Sequence, residues 1–179
     1  MDKRAEIIAA ATRLFEAEGF RGIGIDRVIA PSGVSTRTLY KHFGSRDGLV
    51  LAVLQARHFK FMQRLDEQPS DIHALFNTLS DWVQDHGTLG CMLLRARSEY
   101  AQASDEIVAL VHRQKTEFRN EVARRVQFTL GRSDERLSTQ IWLLFEGATA
   151  AASVTGASVI DQASDAASSL LMLARAGQP

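Results

Sequence analysis

The segment Gly33-Val34-Ser35-Thr36-Arg37-Thr38-Leu39-Tyr40-Lys41-His42-Phe43 gathers hydroxyls, a guanidinium, an ammonium, an imidazole and a phenol in one short stretch. Such donors suit an anionic, acceptor-rich surface: phosphate oxygens and the edges of bases. Ser35 is a good N-cap for a helix over 36–42, and Gly33 before it can take positive φ without steric cost. Val34 and Leu39 then face inward, which leaves Thr36, Arg37, Thr38, Tyr40, Lys41 and His42 outside. A helix fits the major groove of B-DNA with its first residues at base edges while a preceding helix braces it on the backbone. On this reading Arg37 forks onto a guanine, with Thr36 and Thr38 sharing in sequence choice. Tyr40, Lys41 and His42 hold phosphates, and Arg46, opening the next helix, also reaches the backbone. The plainer alternative is a solvated helix face, with Tyr40 and Phe43 as core.

Helices this short need others behind them. Residues 3–18 form an amphipathic helix with Ile7, Ala11, Leu14 and Phe15 on one side, stopped by Gly19. A short piece runs over 25–32, and Gly33 breaks it. Ser45 can cap a long helix over 46–66, whose Val50, Val53, Leu54, Arg57 and Phe61 share a side. Beyond Pro69 the same periodicity predicts helices over 71–86, 91–101, from Ser104 to the stop at Gly131, 137–154 and 158–175. No alternation of period two points to strands, so the fold class is all-α.

The 179 residues are 45% hydrophobic, enough for one large core or two small ones. Net charge is zero, but its distribution is uneven. Residues 1–64 hold 11 Lys+Arg against 6 Asp+Glu, and residues 65–179 hold 10 against 15. That suggests a nucleic-acid-binding head on an acidic body. The single cysteine, Cys91, excludes an internal disulfide and a two-cysteine metal site, and the five histidines show no paired spacing for a metal. No cofactor is expected. The charged, helical N-terminus is unlike a signal peptide, and no apolar run nears the roughly 18 residues of a membrane span. A cytoplasmic location is the default expectation. Nucleophile-elbow, metalloprotease and phosphate-loop patterns are absent from the sequence, so an enzyme is not expected.

Residues 1 to about 55 resemble the DNA-binding domain of the TetR family of repressors. The resemblance lies in Phe15-Glu16-Ala17-Glu18-Gly19-Phe20, then Gly33-Val34-Ser35, Leu39-Tyr40, His42-Phe43 and Ser45-Arg46-Asp47-Gly48-Leu49, in that order and spacing. It implies about nine helices. A helix-turn-helix domain at 1–48 would precede a ligand-binding and dimerisation domain at 49–179, with the 46–66 helix linking them. It also implies a homodimer on a near-palindromic operator in double-stranded DNA, with repression relieved by a small-molecule effector. The alternative is a helical ligand-binding or interaction dimer without specific DNA binding. Two departures support that alternative. Gly24 stands where the family often has a hydroxyl that caps the second helix and touches phosphate, leaving only a backbone N–H there. Pro31 removes a donor and crowds the carbonyl of Arg27, so the second helix should end early or kink. Arg37 stands where a small residue is common.

For the body, the resemblance implies that the last two helices pair across a two-fold axis. The expected interface is Leu137, Ile141, Leu144, Ala148, Ala152, Ile160, Ala163, Ala167 and Leu170, unless these residues only close the chain's own core. A two-fold dimer would set its reading helices about 34–36 Å apart. Gly90-Cys91-Met92-Leu93-Leu94, with Glu99-Tyr100-Ala101, resembles a Gly-Cys motif of one TetR subgroup. Pocket residues are expected among Trp82, Cys91, Met92, Arg95, Tyr100, Phe118, Trp142 and Phe145, although residues of these kinds are more often plain core. Arg95 either pairs with Glu99 at four-residue spacing or meets an anionic ligand. Cys91 is either a redox sensor or a small buried hydrophobe.

Overall fold

The structure, a computed structural model, describes residues 2–176. Among them are nine α-helices and one 3₁₀ turn, with no strand: α1 Lys3–Glu18, α2 Ile25–Ile29, the 3₁₀ turn Ala30–Ser32, α3 Thr36–Phe43, α4 Arg46–Asp66, α5 His73–His86, α6 Met92–Tyr100, α7 Asp105–Leu130, α8 Glu135–Thr155 and α9 Val159–Ala176. Local chemistry sets these limits. The Asp2 carboxylate accepts from Arg4 N–H to open α1, and Gly19, at φ +85°, closes it. Ser45 Oγ accepts from Gly48 N–H at 2.9 Å in the first turn of α4. Asp134 caps α8 through Leu137 N–H at 2.9 Å. Pro31 acts as expected: α2 stops at Ile29 and the chain tightens into the 3₁₀ turn that holds the proline.

The chain divides into two compact units. The first comprises residues 1–60 and 92–114. Its core joins Ile7, Ala11 and Phe15 of α1 and Phe20 of the following turn to Val28, Leu39, Leu49, Val53 and Leu54. Met92, Ala96 and Tyr100 of α6 and Ile107 and Val111 of α7 complete that core. Burying one such apolar side chain stabilises by about 1.5–3 kcal/mol, so α6 contributes materially to a unit that starts 90 residues before it.

The second unit comprises the described residues within 61–91 and 115–179. Leu75, Phe76 and Leu79 of α5, Phe118, Val122 and Val126 of α7, and the inner faces of α8 and α9 form its core. Ala148 and Ala152 of α8 and Ala163 and Ala167 of α9 are buried there, small enough to let two helices approach closely. Arg125 is fully buried yet satisfied. Its Nε donates to Glu121 Oε1 at 2.6 Å, Nη2 to the Leu65 carbonyl at 2.8 Å, and Nη1 to the carbonyls of Pro69 and Asp71. One guanidinium thereby holds the end of α4 and the loop before α5 onto α7. Leaving any of these buried partners unmatched would cost several kcal/mol. No helix among the described residues is long and apolar enough to cross a membrane.

Candidate nucleic-acid interface

α3 stands on a turn that requires glycine. Gly33 has φ +64° and ψ 16°, the left-handed conformation that L side chains rarely adopt, and it follows the 3₁₀ turn directly. Ser35 then caps α3, its Oγ accepting from Thr38 N–H at 3.2 Å and lying 3.0 Å from Thr38 Oγ1. Leu39 is fully buried, while Val34 and Phe43 pack partly buried against the same core. Arg4 of α1 lies over the Phe43 ring at 5.4 Å, a cation–π contact that holds the far end of α3. Between α2 and α3, Thr36 Oγ1 donates to Asp26 Oδ1 at 2.9 Å. Glu18 and Arg27 form a two-pronged pair at 2.6 and 2.7 Å between α1 and α2, largely exposed and so worth little energy.

What remains outward is Arg37, Tyr40, Lys41 and His42, all exposed, with Tyr40 at 44%. Arg37 and Lys41 are four residues apart and Tyr40 lies between them on the same side, so two cations and a phenol share one face. α3 carries no acidic residue to neutralise them. The face is therefore a positively charged donor surface on a helix anchored from behind.

Other expected contacts stand differently. Thr36 and Thr38 are half-buried with their hydroxyls engaged, as above, while Ser35 is exposed. Gly24 is exposed at the N-terminus of α2 with no side-chain cap, and its φ of −67° is one any residue can take. Arg46 is half-buried and turned inward: Nη2 donates to the Phe20 carbonyl, and the guanidinium lies 6.0 Å from the Phe15 ring. The outward reach expected of Arg46 is thus spent inside the unit. Sequence spacing also gave no sign of Asp26, ten residues from Thr36, or of Gly48. A Cβ on Gly48 would lie 2.0 Å from the Phe43 carbonyl oxygen, so only glycine lets α4 begin so close to the end of α3.

The eight expected pocket residues do not form one cluster. Met92 and Tyr100 belong to the core of the first unit, and Arg95 is half-buried within that unit. Burial pushes the Tyr100 hydroxyl above its ordinary value, and the positive charge of Arg46 opposes the shift. Arg95 and Glu99 do not pair with each other, because each is engaged with α1 and its following turn. Phe118 and Phe145 gather in the second unit, ring centroids 4.5 Å apart, with Phe61 5.9 and 6.0 Å from them. Trp82 meets Phe61 edge-on at 5.3 Å, and Trp142 packs against the same core with its Nε1–H buried and unpartnered. Thr78 Oγ1 is likewise buried without a partner. Cys91 is half-buried. No group of three metal-binding side chains occurs among the described residues.

The expected interface needs correction. Leu137, Ile141, Ala148, Ala152, Ile160, Ala163 and Ala167 are buried in the second unit's own core, with Leu144 and Leu170 partly buried against it. The large apolar side chains that α8 and α9 leave exposed are Leu143, Val154, Met172 and Leu173.

The family model described as bacterial regulatory proteins, tetR family, matches residues 7–53, which take in the whole of α2, the 3₁₀ turn and α3. The chain is 30% identical over 129 residues to the HTH-type transcriptional repressor BdcR of Escherichia coli, covering 67% of this chain and 66% of that protein. It is 34% identical over 80 residues to the HTH-type transcriptional activator FasR of Mycolicibacterium smegmatis, covering 45% of this chain and 33% of that one. The chain thus spans between about a third and two thirds of these relatives' lengths. The crystal structure of SCO4454, a TetR-family transcriptional regulator from Streptomyces coelicolor, superposes with a TM-score of 0.83 at 24% identity, covering 97% of this chain and 96% of that one, which shows the fold. With the motif, the helix order and these likenesses in agreement, the chain belongs to the TetR family of bacterial regulatory proteins.

Proposed function

We propose that the chain is a transcriptional regulator that binds a near-palindromic operator as a homodimer through α3 and is released by a small-molecule effector. The observation that carries the reading is the α3 face: Arg37, Tyr40, Lys41 and His42 exposed together, no acid among them, on a helix pinned by Leu39 and Phe43. Arg37 forks onto a base, and Tyr40, Lys41 and His42 hold phosphates with Ser35 and the Gly24 N–H. Thr36 and Thr38 serve the turn first and the bases second. Repression is the direction proposed, in line with BdcR, which is named a repressor, whereas FasR is named an activator.

DNA contact is assigned to residues 1–48, and effector binding and dimerisation to 49–179. The dimer forms through the outward side of α8, where Leu143, Gly147, Ala150 and Val154 recur at three- and four-residue spacing and are all exposed. The effector enters the aromatic group of Trp82, Phe118, Trp142 and Phe145. The buried donors Trp142 Nε1 and Thr78 Oγ1 favour a planar apolar molecule bearing a hydrogen-bond acceptor.

Selection from random duplexes, followed by mobility-shift titration of the selected one at several salt concentrations, tests the reading. A single enriched palindrome, bound far more tightly than random duplex, is expected. Equal affinity for all duplexes would leave a helical dimer without specific DNA binding. For the effector, a thermal-shift screen of uncharged aromatic compounds is the direct measurement. A compound at about 100 times its Kd adds about 2.7 kcal/mol of stability, and an inducer must in addition favour the state that does not bind DNA.

A further inference from the structure

α6 lies outside the helix-turn-helix, yet it is bonded to it end to end. α1 has no basic residue in its last turn to meet the partial negative charge of its carbonyl end. Arg95 supplies a positive charge from 80 residues away, Nη1 donating to the carbonyls of Phe15 at 3.2 Å and Glu16 at 2.8 Å. One helical turn further along α6, Glu99 Oε2 accepts the backbone N–H groups of Phe20 at 2.9 Å and Arg21 at 2.8 Å. Arg21 answers by donating to the Glu99 carbonyl at 3.2 Å, its guanidinium 5.9 Å from the Tyr100 ring. The cation thus meets the carbonyl end of α1, and the anion meets the N–H groups of the turn that follows. Gly19 sits between them, where a Cβ would come within 2.8 Å of Glu99 Oε1.

The same turn leads into the reading elements. Phe20 is held by Glu99 at its N–H and by Arg46 at its carbonyl, with its ring buried against Phe15 and Tyr100. Four residues later Gly24 opens α2, whose Asp26 holds Thr36 at the start of α3. Two directed hydrogen bonds joined by the short backbone span 20–26 therefore run from Glu99 to the first turn of α3.

We infer that Glu99, with Arg95 beside it, is a positioning residue for DNA recognition: it sets from α6 the turn that aims α2 and α3. Neither residue falls within the 7–53 stretch that the family model matches. The inference rests on the DNA-binding reading above.

The test uses the full chain with Glu99→Ala, Glu99→Gln and Arg95→Ala, each confirmed as folded by circular dichroism. Two readouts are taken: affinity for the selected duplex over a salt series, and amide hydrogen exchange at Phe20 and Arg21 without DNA. Glu99→Ala is expected to weaken the selected duplex by about tenfold with an unchanged salt slope, because no phosphate contact is lost. Affinity for random duplex should stay near wild type, and exchange at both amides should speed up. Glu99→Gln, which keeps an acceptor, should restore most of the loss, and Arg95→Ala should move in the same direction as Glu99→Ala. A folded Glu99→Ala or Arg95→Ala that binds the selected duplex within about twofold of wild type overturns the inference. If the wild type selects no duplex, the DNA-binding reading fails by itself. The exchange measurement then still decides whether Glu99 holds the turn, and unchanged rates at Phe20 and Arg21 refute that.

Discussion

At the scale of single residues, the proposed function divides the α3 face into positions that choose a sequence and positions that hold the backbone. Arg37 is exposed in the first turn of α3, where a helix in the major groove meets base edges. Arg37→Ala is expected to cost about 1–3 kcal/mol on the preferred duplex and to relax preference at one or two base pairs. Tyr40→Ala should instead weaken all duplexes alike. Repeating the duplex selection with each variant distinguishes the two, and an unchanged consensus for Arg37→Ala would refute its base-reading role. Gly48 has a different importance. Because a methyl group there would meet the Phe43 carbonyl oxygen at 2.0 Å, Gly48→Ala must push α4 away from α3. A loss of about 1–3 kcal/mol in denaturant unfolding is expected, with DNA affinity falling alongside. The exposed side of α3 was legible in the sequence because exposure along one helix follows from period and capping. Gly48 was not, because its constraint is the nearness of a carbonyl that only the folded turn brings up.

Among the elements, caps and stops carry most of the definition. Asp134 opens α8 by accepting from Leu137 N–H, which, with help from Arg132, holds its carboxyl below the usual carboxylate range. The stabilisation is fully present above the pKa that Asp134 has in the unfolded chain, and it is lost as pH falls through the lower folded value. Asp134→Ala should therefore cost about 1 kcal/mol at neutral pH and progressively less in acid. Urea unfolding of both proteins at pH 7 and near pH 3 checks this, and a gap that stays constant would contradict it. Helix limits were readable for the same local reasons: Gly19, Gly33, Gly131 and Ser45 mark ends that need no knowledge of the fold. Which helix serves which core was not readable. α6 looks like part of the body by position, yet Met92, Ala96 and Tyr100 pack with α1. Arg95 and Glu99 at four-residue spacing suggest a pair to any local reading, but partners 79 residues away hold both.

For the molecule as a whole, the apolar stripes of α8 and α9 illustrate an ambiguity of periodicity. A pattern such as Leu137, Ile141, Ala148 and Ala152 says that one face is buried, not what buries it, and here the chain's own core does so. The face proposed for a second copy is the opposite side of α8. Leu143 and Val154, 56% and 85% exposed, lie three turns apart on it. Leu143→Asp and Val154→Asp should each shift the protein toward monomer in light scattering at micromolar concentration. Helicity should be unchanged, because neither side chain supports the core. A dimer that survives both substitutions would place the interface elsewhere. Loss of the dimer should also sharply reduce affinity for a full palindrome while leaving half-site affinity nearly intact.

The first unit is assembled from two separated stretches of chain, 1–60 and 92–114. During synthesis this delays its completion. The helix-turn-helix residues leave the ribosome well before Tyr100, Ile107 and Val111, which close their core. At about 5–20 residues per second the interval from residue 53 to residue 114 is roughly 3–12 s. Over that time Phe15 and Phe20 emerge without their full cover, and Phe20 N–H lacks Glu99. Newborn chains would thus be open to chaperones and proteases at their helix-turn-helix end until the first turns of α7 are made.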